Sequence, residues 1–306
     1  MAERTACRHL GTRRMILAVI GFALVLASVF GSYFLAGGNV AIILRALPIE
    51  MSIICGAAAG AFLVSNRTGV VKAAGRGLVR ALRGSRWTPD NFRDLLVLLF
   101  LIADKMKREG AMSLEADVER PSESVLFNSF PKLLADRHLI EFLCDHVRMA
   151  TIEDLDVRTA MEAMDADLER HHQEEHEPQR ALQTLADGLP AIGIVAAVLG
   201  VIKTMGSIDQ PTEVLGAMIG GALVGTFLGV LLSYCFVGPL AQRLGQVIEQ
   251  DSKPYLLARS VLLASVGGTV PQVSVEIARR LTPSTSAPTF AELEEAVRSA
   301  RNAKAA

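Results

Sequence analysis

The chain has 306 residues, of which 51% are hydrophobic and 21% charged, proportions that suit neither an ordinary soluble domain nor a bundle lying wholly in lipid. A formal net charge of -1 gives no reason to expect a nucleic-acid partner. Cys7, Cys55, Cys144 and Cys235 lie far apart without a CxxC pair, which argues against a metal or redox framework and leaves them as small apolar fillers.

Four apolar stretches set the organisation. Residues 15–34, MILAVIGFALVLASVFGSYF, carry no charge and reach about the 20 residues that a helix needs to cross a bilayer. Arg8, Arg13 and Arg14 precede them, as in a signal peptide, but the stretch is long for a signal core and no small-x-small site ends it. A retained anchor is expected. The second stretch, 46–65, runs uninterrupted only after Glu50, so its outer end must lie near headgroups or protein. Arg67, Lys72, Arg76, Arg80, Arg83 and Arg86 follow it. With the basic N-terminus they place both ends of this hairpin in the cytoplasm, which makes AGGNVA the outer turn. The third and fourth stretches, 189–205 and 214–240, enclose the acidic turn GSIDQPTE, which fits the outer face; Lys203 can snorkel toward headgroups.

The segments outside lipid read as helical. FRDLLVLLFLIADKMKR (92–108) is apolar in its middle, charged at both ends and short for a span, so it is expected to be a buried helix of a cytoplasmic bundle. In PKLLADRHLIEFLCDHVRMA, Leu133, Leu134, Ile140, Phe142, Leu143 and Val147 follow a helical repeat. A charged helix from Thr151 leads into the third span, and the fourth continues beyond it through AQRLGQVIEQDSKPYLLARSVLLASVGG. PQVSVEIARRL is amphipathic, TPSTSAP reads as a linker, and Thr289 with Glu292 form a capping box that opens a last helix. No run alternates with period two, so almost no sheet is expected.

The expected class is therefore all-α: an integral membrane protein with four transmembrane helices and a large cytoplasmic helical domain. Its segments are a cytoplasmic N-terminus (1–14), a first transmembrane hairpin (15–65), a cytoplasmic helical domain (66–186), a second hairpin (187–241) and C-terminal cytoplasmic helices (242–306).

Within the second hairpin, Gly221, Gly225 and Gly229 fall four apart and bare one strip of backbone, with a matching strip of Gly193, Ala196 or Ala197, and Gly200 on the third span. Two arrangements fit: the spans pack on each other within one subunit, or both line a gap that holds a helix from a partner. No Asp, Glu, Lys, Arg or His interrupts 189–202 or 214–240, although an ion path needs an ionisable or strongly polar site at bilayer depth. If the chain conducts ions, another chain must supply the titrating group. Thr226 is the notable hydroxyl beside the strip, and a bond back to its own helix is the plain alternative to a pathway role. Pro190 and Pro239 stand at the inner ends of the two spans. Pro190 suits a first helical turn, whereas the helix runs on past Pro239 and must lose a bond there. HHQEEH contains H-x-x-E-H at His172, Glu175 and His176, formally an inverted zinc-protease motif, but it sits in a highly charged helix and reads as a solvated face. Lys107, Arg108 and Glu115 flank a turn. They are either plain surface charge or a rim that registers a charged partner.

VFGSYFLAGG, KREGAMSLEADVERPSESVLF, LPAIGIVAAVLGVIKTMG and ALVGTFLGVLLSYCFVGPLA, in this order and with four spans, closely resemble the A-subunit family of the bacterial flagellar motor stator, MotA, from about residue 15 to the C-terminal helix. The resemblance implies a non-enzymatic, multi-pass protein of the inner membrane with both termini cytoplasmic and no cofactor. Five A subunits would surround a dimer of the B subunit, MotB, whose membrane aspartate carries the proton. It implies that Thr226, Ala197, Gly221, Gly225 and Gly229 face the ion pathway and the partner helix, and that Pro190 and Pro239 couple ion flow to movement. Glu115, with Lys107 or Arg108, would engage the rotor protein FliG. Sodium-driven relatives typically carry a second threonine where this chain has Ala197, so protons are expected. The competing expectations are an ExbB/TolQ-like energising subunit with three spans, a membrane metalloprotease and a passive scaffold.

Overall fold

The computed structural model describes the backbone of residues 2–152 and 155–305 and the side chains of residues 15–152 and 155–302. In chain order its helices are α1 (Ala2–Leu35), α2 (Val40–Ser65), α3 (Thr68–Arg83) and α4 (Pro89–Glu109). A one-turn 3-10 helix (Ala111–Leu114) follows, then α5 (Glu115–Glu119), α6 (Val125–Asn128), α7 (Pro131–Leu134) and α8 (Arg137–Ala150). The rest is α9 (Val157–Met205), α10 (Thr212–Leu231), a π-helical segment (Leu232–Val237), α11 (Gly238–Val266), α12 (Pro271–Leu281) and α13 (Phe290–Ala305). No strand occurs among the described residues. The chain forms two compact units: one holds the chain up to residue 84 and residues 175–248, the other residues 85–174 and the chain from 249 on.

The first unit contains helical segments of α1, α2, α9 and α10 that are long and apolar enough to cross a membrane, as expected; the protein is multi-pass. α2 begins six residues before the apolar stretch that marked it, because Asn39 Oδ1 accepts the Ala41 N–H at 3.1 Å and caps the helix. Arg45, Pro48 and Glu50 therefore lie inside α2. Ile54, Ala58, Leu189, Ala196, Val224 and Leu228 form the apolar centre of this region.

The basic segment after α2, read from sequence only as a topology signal, is itself the amphipathic α3. Ala74, Gly77 and Ala81 recur at helical spacing on its buried face and pack in a cluster with Leu182, Ala241, Leu244 and Ile248. A Cβ on Gly77 would lie 2.7 Å from Leu244 Cδ2. The arginines keep to the other face: Arg80 pairs with Glu175 at 2.6 Å, and α3 closes at Gly84, φ +85°, whose N–H donates to Arg80 O.

Of the two prolines, Pro190 departs from expectation and Pro239 meets it. Pro190 does not open a helix; the charged run before it is helical without a break, so Pro190 lies deep inside the 49-residue α9 and removes one of its backbone bonds. Pro239 lies inside a continuing helix, as expected, and the chain adapts by widening into the π-helical segment just before it, where the Gly238 N–H donates to Ser233 O, five residues back.

In the second unit, α4 is the buried bundle helix that its apolar middle predicts. Phe92 and every residue from Leu95 to Ala103 are buried, against Leu114, Phe127, Leu139, Leu143, Leu257, Val261 and Val275 among others. Thr88 caps it and Gly110, φ +83°, closes it. The segment expected as one helix over 131–150 breaks at Asp136, whose carboxylate accepts the Leu139 N–H and starts α8. α9 starts at Val157 rather than Thr151; residues 153 and 154 of that expected helix lie outside the described residues. The capping box forms: Thr289 N–H donates to Glu292 Oε2 at 2.7 Å and Glu292 N–H to Thr289 Oγ1 at 3.3 Å. The Thr289 backbone and hydroxyl bonds hold the Glu292 carboxyl below its ordinary range.

Candidate functional site

Glycine and alanine let α9 and α10 meet backbone to backbone. A Cβ on Gly193 would stand 2.7 Å from Gly225 O and 3.0 Å from Gly229 Cα, and one on Gly200 would stand 2.6 Å from Ala222 Cβ. Contacts that climb one helix as they descend the other define an antiparallel hairpin. Lipid gives helices little apolar drive to associate, so this close approach supplies the dispersion contact that holds them. Gly221 faces α2, its Cβ position 3.7 Å from Ala46 Cβ. The strip is thus occupied within the chain. Of the two arrangements left open, the packing of the third and fourth spans on each other is present in this chain, and Gly225 and Gly229 meet α9 while Gly221 meets α2.

Gly225 sits where three helices converge. A Cβ there would fall 3.1 Å from both Ala196 Cβ and Ala197 N of α9, and would overlap Glu50 Oε2 of α2. Glu50 is 6% exposed and its Oε2 has no hydrogen-bond partner among the described residues. Reasoning from the third and fourth spans alone missed this carboxylate. Its signal was present, a lone charge interrupting the second apolar stretch, and the expected protein-side environment for it is what forms. An unpartnered buried carboxylate is expensive, so its presence calls for a use.

Ala197 is buried at this contact. Thr226 is half-buried on α10, one turn beyond Ala222. Thr204 donates its hydroxyl back to Gly200 O at 2.9 Å, but the Thr226 hydroxyl makes no such bond among the described residues. The plain alternative for Thr226, a hydroxyl used up by its own helix, is therefore absent. Its neighbour Phe227 meets Phe30 of α1 edge to face at 5.9 Å, and Phe22 stacks on Phe236 at 5.0 Å, which seats α1 along α10 and the π-helical segment that follows it.

The charged triad of the second unit gathers at one end of α4. Lys107 and Arg108 occupy its last turn, and Glu115 begins α5 after the single 3-10 turn; all three are exposed. Lys107 Nζ donates to Gly268 O at 2.8 Å, while Arg108 pairs with Asp104 at 3.0 Å. Glu115 makes no ion pair among the described residues, so its charge is open to solvent. What fixes it is below: Lys105 pairs with Asp117 at 2.8 Å, the two side chains only 19% and 16% exposed, and Glu119 pairs with Arg148 of α8 at 2.9 Å. The carboxylate of the protease-like motif, Glu175, is the ion partner of Arg80.

Comparisons with known proteins follow this layout. Residues 19–110 match the model of the motility protein A N-terminal region, and residues 134–255 that of the MotA/TolQ/ExbB proton channel family. Motility protein A of Escherichia coli is 39% identical over 287 residues, covering 94% of this chain and 97% of that protein. Chemotaxis protein LafT of Vibrio parahaemolyticus is 29% identical over 276 residues, 90% of this chain and 96% of that one. Among solved structures, C. jejuni MotAB shares the fold with a TM-score of 0.69 at 20% identity, over 88% of this chain and 96% of the other. The MotAB stator complex of Bacillus subtilis does so with 0.63 at 21% identity, over 85% and 92%.

Proposed function

The chain belongs to the MotA/TolQ/ExbB proton channel family, in its motility protein A group, and from that premise we propose that it is the A-type stator subunit of a flagellar motor, which with a MotB-type partner turns proton flow into rotor torque. The observation that carries this reading is the α9–α10 hairpin: two spans packed on bare backbone with no ionisable side chain in 189–202 or 214–240. An ion carried along that hairpin needs a titrating group from elsewhere, and the partner's membrane aspartate is the group that fits. The relatives of known structure are described as MotAB complexes, which supports such a partner.

In this reading the partner helix runs beside Thr226, whose uncommitted hydroxyl can pass a proton or orient a water. Ala197 offers a methyl and no oxygen ligand for sodium, so the ion is H+. Proton arrival neutralises the partner's aspartate and changes its contacts with α9 and α10. One charge crossing 100 mV releases about 2.3 kcal/mol, enough to bias a step between two packings of comparable energy. Pro190 and Pro239 are the points where the helices bend. Lys107, Arg108 and Glu115 form the rim that engages FliG. The assembly is five copies of this chain around two partner chains in the inner membrane, with both termini and the charged helices cytoplasmic, following the basic flanks of the spans. No catalytic step is required of any residue.

The test is rotation in cells lacking their own stator, with this chain and a B subunit supplied together. Rotation that follows the proton gradient supports the reading. Rotation that persists on a sodium gradient alone, with the proton gradient collapsed, would overturn the ion assignment. A topology map with three spans would favour an ExbB/TolQ-like subunit.

A further inference from the structure

Pro190 and Pro239 share one residue, Ser233. Pro190 has no N–H, so the carbonyl of Ala186, four residues back in α9, loses its helical donor. Ala186 is 1% exposed, and a buried carbonyl without a partner costs about as much as a lost hydrogen bond. The hydrogen comes from the facing helix: Ser233 Oγ donates to Ala186 O at 2.7 Å, and Ser233 is itself 2% exposed. The same residue begins the turn that accommodates Pro239, because its own carbonyl accepts the Gly238 N–H across the widened π turn. Gly238 has to be small for this to happen, since a Cβ there would press on Ser233 O at 2.9 Å and reach Ala186 Cβ at 4.0 Å. A serine is the smallest side chain that can reach Ala186 O and still pack at a site that admits no bulk.

We propose that Ser233 is a positioning residue for the coupling step, a latch that joins the two proline-weakened turns through a single residue. Its side chain supplies the donor that Pro190 lacks, and its carbonyl anchors the turn before Pro239. A bend at either proline therefore pulls on the other, and α9 and the π-helical segment with the start of α11 move as one element rather than as two loose hinges. The bond itself does not depend on the function; its role in coupling rests on the stator reading given above.

The bond is tested by hydrogen exchange on the complex of full chain and B subunit in lipid nanodiscs. Loss of the Ser233 hydroxyl leaves Ala186 O unpaired, so Ser233→Ala speeds amide exchange in the peptides spanning 230–245 by about 5- to 100-fold. In Pro190→Ala the residue-190 N–H returns to Ala186 O, so adding Ser233→Ala to it changes exchange by less than about twofold. An equal acceleration in both backgrounds, or none in either, overturns the latch. The coupling role is read separately, as proton flux against rotation per stator unit. Ser233→Ala keeps flux within about twofold while rotation falls several-fold, because decoupled hinges let protons pass without a step. Flux and rotation falling in proportion would reduce Ser233 to a packing residue. Failure of the wild-type chain to drive rotation would count against the stator reading and leave the exchange result standing.

Discussion

Gly229→Ala tests whether the glycine strip serves the chain's own hairpin. The added Cβ would lie 2.7 Å from Leu189 O, 2.8 Å from Gly193 Cα and 3.2 Å from Gly193 N. All three are backbone atoms, so no rotamer change relieves the overlap. Carbon atoms rest at about 3.5–4.0 Å, so α9 and α10 must part by about 1 Å, and contacts along the whole seam weaken. Overpacking of this kind costs about 1–3 kcal/mol, against which alanine's better helix propensity returns about 1 kcal/mol. The net expectation is a loss of up to roughly 2 kcal/mol, read as a lower unfolding midpoint of the detergent-solubilised complex and as slower swimming. The controls come from the same helix: a Cβ on Gly216 meets nothing within 4 Å, and one on Gly221 only touches Ala46 Cβ at 3.7 Å. Gly216→Ala and Gly221→Ala should therefore be neutral or slightly stabilising. If Gly221→Ala proved as damaging as Gly229→Ala, the strip would be meeting a partner helix, and the intrachain account would fail.

Three further outcomes are expected. Glu50→Gln preserves volume beside Gly225 and removes an unpartnered buried carboxylate, which should raise the unfolding midpoint by the equivalent of about 1–3 kcal/mol while lowering proton flux through the complex; unchanged flux would relegate Glu50 to packing. Glu115→Lys places like charges against the proposed rotor surface, a juxtaposition worth several kcal/mol, so torque should vanish while membrane assembly and stability persist; normal swimming removes Glu115 from that surface. His146, buried against Phe142 and 3.2 Å from Asp167, has its pKa pushed down by burial, an effect that Asp167 and Asp145 partly offset. Its contribution is present above the ordinary histidine value of about 6.5 and is lost as pH falls through the depressed folded value. Stability should thus decline on acidification below about pH 6.5, and less so in His146→Gln; an identical pH profile for the two chains would refute this.

The spans were legible because their signal is local and strong. Runs such as 15–34 contain no charge at all, and only a helix can carry such a run through lipid. Thr289 and Glu292 likewise announced a cap that forms. α3 was hidden because the same arginines that report topology also decorate a helix, and its buried face consists of Ala74, Gly77 and Ala81, too small to register as an apolar stripe. Pro190 was misplaced because a first-turn proline and an interior proline look alike until the length of the helix before it is known. Spacing revealed that Gly225 and Gly229 pack closely against something, but no spacing reveals whether the neighbour belongs to the same chain. The Thr226 hydroxyl, unbonded among the described residues, and the bond from Ser233 to Ala186 depend on three-dimensional register, which the sequence carries only through the fold.

The central claim is that the hairpin of α9 and α10 guides a proton whose carrier belongs to another chain. Its most direct test is proton uptake into liposomes holding this chain alone, the chain with its B subunit, or the chain with a B subunit whose membrane aspartate is changed to asparagine. Uptake driven by a membrane potential should occur only in the second preparation. Uptake by the chain alone, or undiminished uptake with the asparagine partner, would contradict the account.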